Sequence, residues 1–477
     1  MAPDIRGFDD ESMQRQDESI DDAIFHFDAK NVFSLKNNPM CGITFGQWLR
    51  VLHENGRFIE WKYAPRALFL TLTALFNSLL AIVESILYPD SRIAQVKLPD
   101  DPVFIVGHPR TGTTLMHNLL ASDTATFYSC TTFCAGFPTC FLWFESWGKW
   151  LFAGILDKTR PMDSMALHFD LPQEDECATT ILSAGASYYM PIYMMTREAQ
   201  FRRFLDFSPE QGATPEDEAR WTSSFLYLLR KLTMRKQLLK LGDRLLLKSP
   251  IHAARIPILR KLFPKARFIY MHRDPFETMA SSAHLANTAF WFMYLSTPTD
   301  EQVTEYLFWN FRQLWLKYNA AAEVKSSSTS SRVVHEDILE MSYVDLITKP
   351  EESLRRVYTH AKVPWTEAKR AHFAAEMQAL SSYKVNQHRV MVPAMRARIQ
   401  KEAQQFMDAF GAWDARRNVA TWNAHGLFFA VEADNAFFPT AMQTWIVIDA
   451  TSYVASTKDQ PFRELQYTWQ HLSSLHA

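Results

Sequence analysis

Apolar residues in the first hundred positions fall at helical rather than strand intervals. Residues 43–63 mix apolar and polar positions at helical spacing, and the seventeen residues 67–83 (ALFLTLTALFNSLLAIV) are almost continuously apolar. Lys62 and Arg66 precede that run and Glu84 follows it. Its length is the lower edge of what crosses a bilayer. Thr71, Asn77, Ser78, Glu84 and Ser85 recur at heptad-like spacing and lay a narrow polar stripe along the helix. The pattern fits a helix packed in the fold, one lying in a membrane plane, or one crossing it.

From Pro102 the rhythm changes to strand, loop and helix. Residues 103–106 (VFIV) read as a short strand, 107–114 (GHPRTGTT) as a loop, and 115–121 (LMHNLLA) as an amphipathic helix. Residues 245–247 and 267–271 are two further strands, with a helix over 253–263 between them. Residues 332–334 are expected to be a fourth, after the polar run 326–331. Strands alternating with helices predict an α/β fold, a central parallel β-sheet flanked by helices with many helical insertions. The chain divides into an acidic start with helices (1–60), the apolar helix (61–100), the α/β region (101–415) and an aromatic-rich extension (416–477).

Composition narrows the chemistry. With 50 Lys+Arg against 52 Asp+Glu, no extended polyanion is an expected partner, so phosphate recognition must be local. Five cysteines show no zinc spacing and read as reduced thiols. The acidic first 22 residues resemble neither a signal nor a transit peptide, which predicts an intracellular chain, cytoplasmic or membrane-associated. Only 14 residues are glycine, and Gly107 and Gly112 frame one loop.

That loop sits where a phosphate-binding loop belongs, between a strand and the start of a helix, where backbone N–H groups converge on an anion. Gly112 permits close backbone approach, Thr111, Thr113 and Thr114 bring hydroxyls, and Arg110 a forked cation. The lysine that follows the second glycine in nucleotide triphosphatases is replaced by Thr113, and no later strand end carries a convincing Mg²⁺-binding aspartate. A single phosphate bearing a transferable group suits such a loop better than a triphosphate, and no metal is required. A threonine-rich helix cap is the plain alternative. Lys248 and Arg273 stand at the carboxyl ends of the next two strands, where ligands bind in open parallel sheets. Ser281 lies on the following helix, placed to join Arg273 on a second phosphate.

These residues resemble the PAPS-dependent sulfotransferases, whose donor is 3′-phosphoadenosine-5′-phosphosulfate. The family's 5′-phosphosulfate loop matches Pro109 to Thr114, and its 3′-phosphate motif, an Arg with a Ser eight residues on, matches Arg273 and Ser281. The resemblance runs from about Arg66 to about Arg398 and includes Arg160 to Asp163, Pro172 to Glu176, Lys248 to Pro250 and His335 to Asp337. It is closest to the broad bacterial, algal and fungal branch, more distantly related to tyrosylprotein sulfotransferases. The carboxyl-terminal 3′-phosphate loop of the cytosolic enzymes has no counterpart, which leaves Lys384, Arg389 and Arg396 as available cations. The resemblance implies that Arg110 and Lys248 supply positive charge at the transferring group.

For the base that accepts the acceptor's proton, His252 is the first candidate, close to where cytosolic members carry a histidine, and a helix-capping histidine is its alternative. Glu174 and Glu176 are the rivals, because a like-charged neighbour would raise one of their pKa values. His108 and His168 rank lower. Residues 127–152 hold ten aromatics, which read as core or as an apolar acceptor site. The expected activity is sulfuryl transfer from PAPS to the hydroxyl of a small, apolar or lipid-like acceptor. A P-loop small-molecule kinase and a non-catalytic membrane-peripheral nucleotide binder are the alternatives.

Overall fold

The computed structural model describes residues 23–152, 157–160, 162–163, 165–324, 332–380 and 391–411. The acidic start, the 326–331 run, Lys384, Arg389 and the extension from 416 lie outside the described residues.

Five strands, β1 (Val103–Gly107), β2 (Phe127–Ser129), β3 (Arg244–Lys248), β4 (Arg267–His272) and β5 (Ile338–Ser342), form one wholly parallel sheet in the order β2-β3-β1-β4-β5. All five residues of β1 are buried, as a central strand covered on both faces requires, and this is why 103–106 reads as an unbroken apolar run rather than an alternation. From β1 the chain moves to β2 on one side. From β4 it moves to β5 on the other. The sheet therefore changes winding direction between β1 and β4, which opens a crevice at their carboxyl ends.

The helices that bear on the site and its surroundings are α1 (Phe45–Asn55), α2 (Ala64–Leu87), α3 (Thr113–Ser122), α4 (Phe141–Phe152), α5 (Asp175–Leu182), α6 (Pro215–Leu239), α7 (Ile256–Leu262), α8 (Pro275–Ala289) and α9 (Asp300–Ala322). The helix expected over 253–263 divides in two. Residues Pro250–Arg255 make a 3-10 turn and α7 starts only at Ile256, with Pro257 in its first turn, where a missing N–H is harmless. The α8 start is fixed by Asp274, whose carboxylate accepts from the N–H groups of Phe276 and Glu277 at 2.7 and 3.1 Å.

One strand expectation needs correction, and one strand of the sheet lies where none is expected. Residues 332–334 are not a strand of the sheet. Val334 bridges only Glu323, and the strand that pairs with β4 is Ile338–Ser342, which buries Ile338 and Met341. Arg332 instead turns back to Glu340 at 2.6 Å. Three residues, two of them valine, are too short a run to identify the strand, and pairing register decided between neighbouring candidates. The edge strand β2, three residues long, went unrecognised for the same reason.

Helix α2 is longer than its apolar run and is oriented by its polar residues. Arg66 donates to the carbonyls of Tyr294, Asn31, Val32 and Ser34, Asn77 donates to those of Cys41 and Ile43, and Glu84 accepts from the N–H of Leu142 at 2.7 Å and pairs with Lys231. Thr71 accepts from the Trp48 indole of α1 at 2.9 Å. All of the polar stripe but Ser85, which is exposed, faces the protein.

Candidate active site

The loop from β1 to α3 is built on three unusual backbone positions. Gly107 and Gly112 have φ of 150° and 91°. A Cβ on Gly107 would lie 2.4 Å from the Met271 carbonyl oxygen, and one on Gly112 would lie 2.4 Å from the Tyr343 ring. Arg110 adopts φ 75° although it has a side chain, a left-handed conformation that costs about 1–2 kcal/mol. Strain of this kind is retained where the surroundings fix it. Here Arg110 donates from Nε to the Ser281 hydroxyl at 2.9 Å and from a terminal nitrogen to Asp163 at 2.9 Å. Arg160 reaches both the other oxygen of Asp163, at 3.4 Å, and the Thr114 hydroxyl, at 3.4 Å.

Arg273, at the end of β4, donates to Glu277 one turn into α8, and its guanidinium stacks 4.5 Å from the centre of the Tyr343 ring. The same ring packs on Gly112. The two phosphate motifs, 160 residues apart in sequence, thus meet twice at the crevice, through Arg110 with Ser281 and through Tyr343 between Gly112 and Arg273. Ser281 stands directly against the loop arginine. Arg396 lies over the Phe276 ring at 4.7 Å.

Three consecutive carboxylates at the start of α5 take three different partners from one segment after β3. Glu174 pairs with Lys248 at 2.8 Å, Asp175 with His252 Nε2 at 2.6 Å, and Glu176 with Arg255 at 2.7 Å. Glu174 is the extended residue that precedes α5, while Asp175 and Glu176 are its first two helical residues, so the three side chains diverge. The side chain of Glu174 is 21% exposed. Lys248 beside it is 2% exposed, while Asp175, His252, Glu176 and Arg255 are at 0%. Glu174 also accepts from the Tyr189 hydroxyl at 2.6 Å. Lys248 lies level with Ile105 of β1, next to the loop.

His252 is fully buried. Its ring is enclosed by Phe104, Trp221 and Phe225, with centroids 5.7–6.0 Å away, and its charge partner is equally buried. Glu176 is also unsuited to be a base. Its oxygens accept from Arg255, Ser187, the Tyr188 N–H and the Trp221 indole. Burial pushes its carboxyl up, but the Arg255 charge, the hydrogen bonds from Arg255 and Ser187 and the neighbouring His252 together outweigh that and hold it below the usual carboxylate range, opposite to the rise expected from adjacent acids. His108 hydrogen-bonds the Pro109 carbonyl and packs on Phe311, and burial lowers its pKa to about 4.

A family model described as the sulfotransferase family matches residues 102–367. The chain belongs to this family. Among curated relatives, omega-hydroxy-beta-dihydromenaquinone-9 sulfotransferase Stf3 of Mycobacterium bovis and of Mycobacterium tuberculosis are each 29% identical over 377 residues, 78% of this chain and 90% of theirs. The fold matches the crystal structures of sulfotransferase STF1 from Mycobacterium tuberculosis H37Rv (TM-score 0.52, 15% identity, 85% of this chain and 99% of that one) and of sulfotransferase STF9 from Mycobacterium avium (TM-score 0.50, 17% identity, 86% and 98%). The kinase and non-catalytic alternatives are set aside by this membership.

Several residues of this sulfotransferase had no assigned role in the sequence. Tyr189 and Tyr343 carry no local motif, and only the tertiary fold brings them to Glu174 and Arg273. Asp163 was visible within the Arg160 to Asp163 match, without indication that it would clamp Arg110. His117, one turn into α3, is fully buried with both ring nitrogens lacking a hydrogen-bond partner, and burial with the nearby Lys248 charge pushes its pKa well down.

Proposed function

We propose that this sulfotransferase transfers the sulfuryl group of PAPS to the hydroxyl of an apolar, lipid-like acceptor, with Glu174 as the base. The observation that carries the reading is the Lys248–Glu174 pair at the carboxyl end of β3, beside a phosphate loop whose arginine is hydrogen-bonded to Ser281. The loop N–H groups, Thr111, Gly112, Thr113 and Thr114, hold the 5′-phosphosulfate, and Arg110 supplies charge to its oxygens. Arg273 and Ser281 take the 3′-phosphate.

In the transfer, the acceptor oxygen forms a bond to sulfur as the bond from sulfur to the bridging phosphate oxygen breaks, and that oxygen keeps the electron pair. Lys248 turns its ammonium to the leaving oxygen, where charge develops. Glu174, released from that ion pair, accepts the acceptor's proton. Tyr189 keeps the carboxylate aimed. The apolar acceptor class is supported by the mycobacterial relative, whose name specifies a hydroxylated dihydromenaquinone.

Calorimetry with adenosine 3′,5′-bisphosphate tests the donor assignment. Wild type should bind, and Arg110→Ala and Arg273→Ala should each weaken binding at least about tenfold, the scale of a lost charge-assisted hydrogen bond. No binding by the wild type would overturn the reading. Incubation with ³⁵S-labelled donor and a series of long-chain and short-chain alcohols tests the acceptor class, and preference for the short polar ones would refute it.

A further inference from the structure

The most conspicuous surface outside the active site is the outer side of α2. Leu68, Leu72, Leu75, Leu79, Ile82 and Ile86 are between 46% and 72% exposed, on a helix about 36 Å long. This is an amphipathic helix with its polarity reversed, since the charged and amide residues Arg66, Asn77 and Glu84 point into the protein. We infer that α2, together with the end of α4, is an in-plane docking face for an anionic membrane surface.

Four observations select a bilayer over a protein partner. First, the strip is apolar without interruption. No charged side chain is exposed between Lys62 and Asp90, whereas protein interfaces carry a hydrogen bond every 100–200 Å² and a polar rim. Second, the hydroxyls toward the outer side of α2 are satisfied by the helix itself. Thr73 and Ser85 donate to the carbonyls of Leu70 and Ile82 at 3.1 and 2.8 Å, the arrangement that lets such groups face hydrocarbon without water. Third, tryptophans border the strip. Trp61 is 90% exposed before α2, and Trp147 and Trp150 are 68% and 79% exposed on α4. Trp147 and Trp150 follow Trp143 at helical spacing, and the Trp143 indole donates to the Leu80 carbonyl at 3.0 Å, so α4 presents them alongside α2. Indole rings favour the headgroup level. Fourth, exposed cations stand beyond both ends, Arg57 and Lys62 before the helix and Arg92 and Lys97 after it.

The same packing decides between lying on and crossing the membrane. A spanning α2 would have to pull Arg66, Asn77 and Glu84 away from their backbone partners and from Lys231 into hydrocarbon, where each charged residue costs about 2.5–3.5 kcal/mol or more. The helix therefore stays fastened to the protein along one side and enters the interface with the other.

The inference does not depend on the transfer chemistry, and its test reads no activity. The full chain is floated with phosphatidylcholine vesicles with and without 30% phosphatidylglycerol. Wild type should co-float, more with the anionic lipid and less at high salt. The triple variant Leu72→Gln/Leu79→Gln/Ile86→Gln, checked for unchanged circular dichroism and thermal melting, should partition at least tenfold less. Tryptophan quenching by lipids brominated near the headgroup should exceed quenching by lipids brominated near the chain end, and Trp147→Phe/Trp150→Phe should remove most of the difference. Failure of the wild type to float, or equal flotation of the triple variant, overturns the inference. A wild-type dimer that ignores vesicles and becomes monomeric in the triple variant would assign the face to a second copy, and a monomer that ignores vesicles would mean the chain covers the face itself. Either result would also overturn it.

Discussion

Glu174, Asp175 and Glu176 are chemically similar and adjacent, yet their environments separate them completely. Glu174 pairs with Lys248 at the carboxyl end of β3, whereas Asp175 and Glu176 fasten α5 to the segment after β3 through His252 and Arg255. Glu174→Gln should lower kcat about 10²–10⁴-fold, the range for loss of a positioned base, while binding of adenosine 3′,5′-bisphosphate stays close to wild type. Steady-state kinetics with calorimetry measures both, and an unchanged kcat would remove Glu174 from the role. Tyr189→Phe should reduce kcat about tenfold with little change in KM. By contrast, Glu176→Gln leaves a buried guanidinium without its counter-charge. Breaking a buried pair of this kind costs about 3–5 kcal/mol, so its effect should appear in denaturant midpoints before it appears in turnover. The three carboxylates were legible in the sequence as candidates, but their division of labour was not. The difference depends on which side of α5 faces the crevice, and no local pattern carries that.

At the level of elements, the phosphate loop is held from outside by neighbours remote in sequence. Tyr343 fills the space over Gly112, and Met271 fills that beside Gly107. Gly112→Ala combines an unfavourable φ with a collision, so it should weaken donor binding at least about tenfold and lower the melting temperature. Relief by Tyr343→Ala should be partial, because that change makes space without altering φ. Complete rescue would show the ring contact alone to be responsible. The loop itself was readable because its glycines, threonines and position after a strand are all local. The rest of the sheet was less so. β2 has three residues and β5 begins after an equally plausible run, so pairing with β3 and β4 chose them.

Across the whole molecule, buried histidines link stability to pH. His108 and His117 are held neutral in the folded chain, His108 with a pKa of about 4 and His117 well below its ordinary value, both chiefly by burial. For a base with a lowered folded pKa, protons bind the unfolded chain preferentially once pH drops below the unfolded value, roughly 6.5. Stability from these two groups is therefore complete above that pH and declines as pH falls from there toward their folded values. Each can contribute a slope of up to about 1.4 kcal/mol per pH unit. Urea unfolding at pH 7 and pH 5 should show wild type losing stability across the interval, and His117→Leu should lose less. An identical loss in the variant would refute the assignment.

The sequence by itself determined the strand, loop and helix around Gly107 to Thr114, the parallel α/β class and the presence of an apolar helix, because each is written in contiguous residues or short fixed spacings. Tertiary structure alone decided what faces what. It sealed His252 among aromatic rings and set Glu174 against Lys248, it brought Arg110 to Ser281 and the Tyr343 ring between Gly112 and Arg273, and it turned Arg66, Asn77 and Glu84 of α2 inward so that the apolar face meets the surroundings. Burial and side-chain direction depend on partners that are hundreds of residues away, and such partners leave no mark in a local window of sequence.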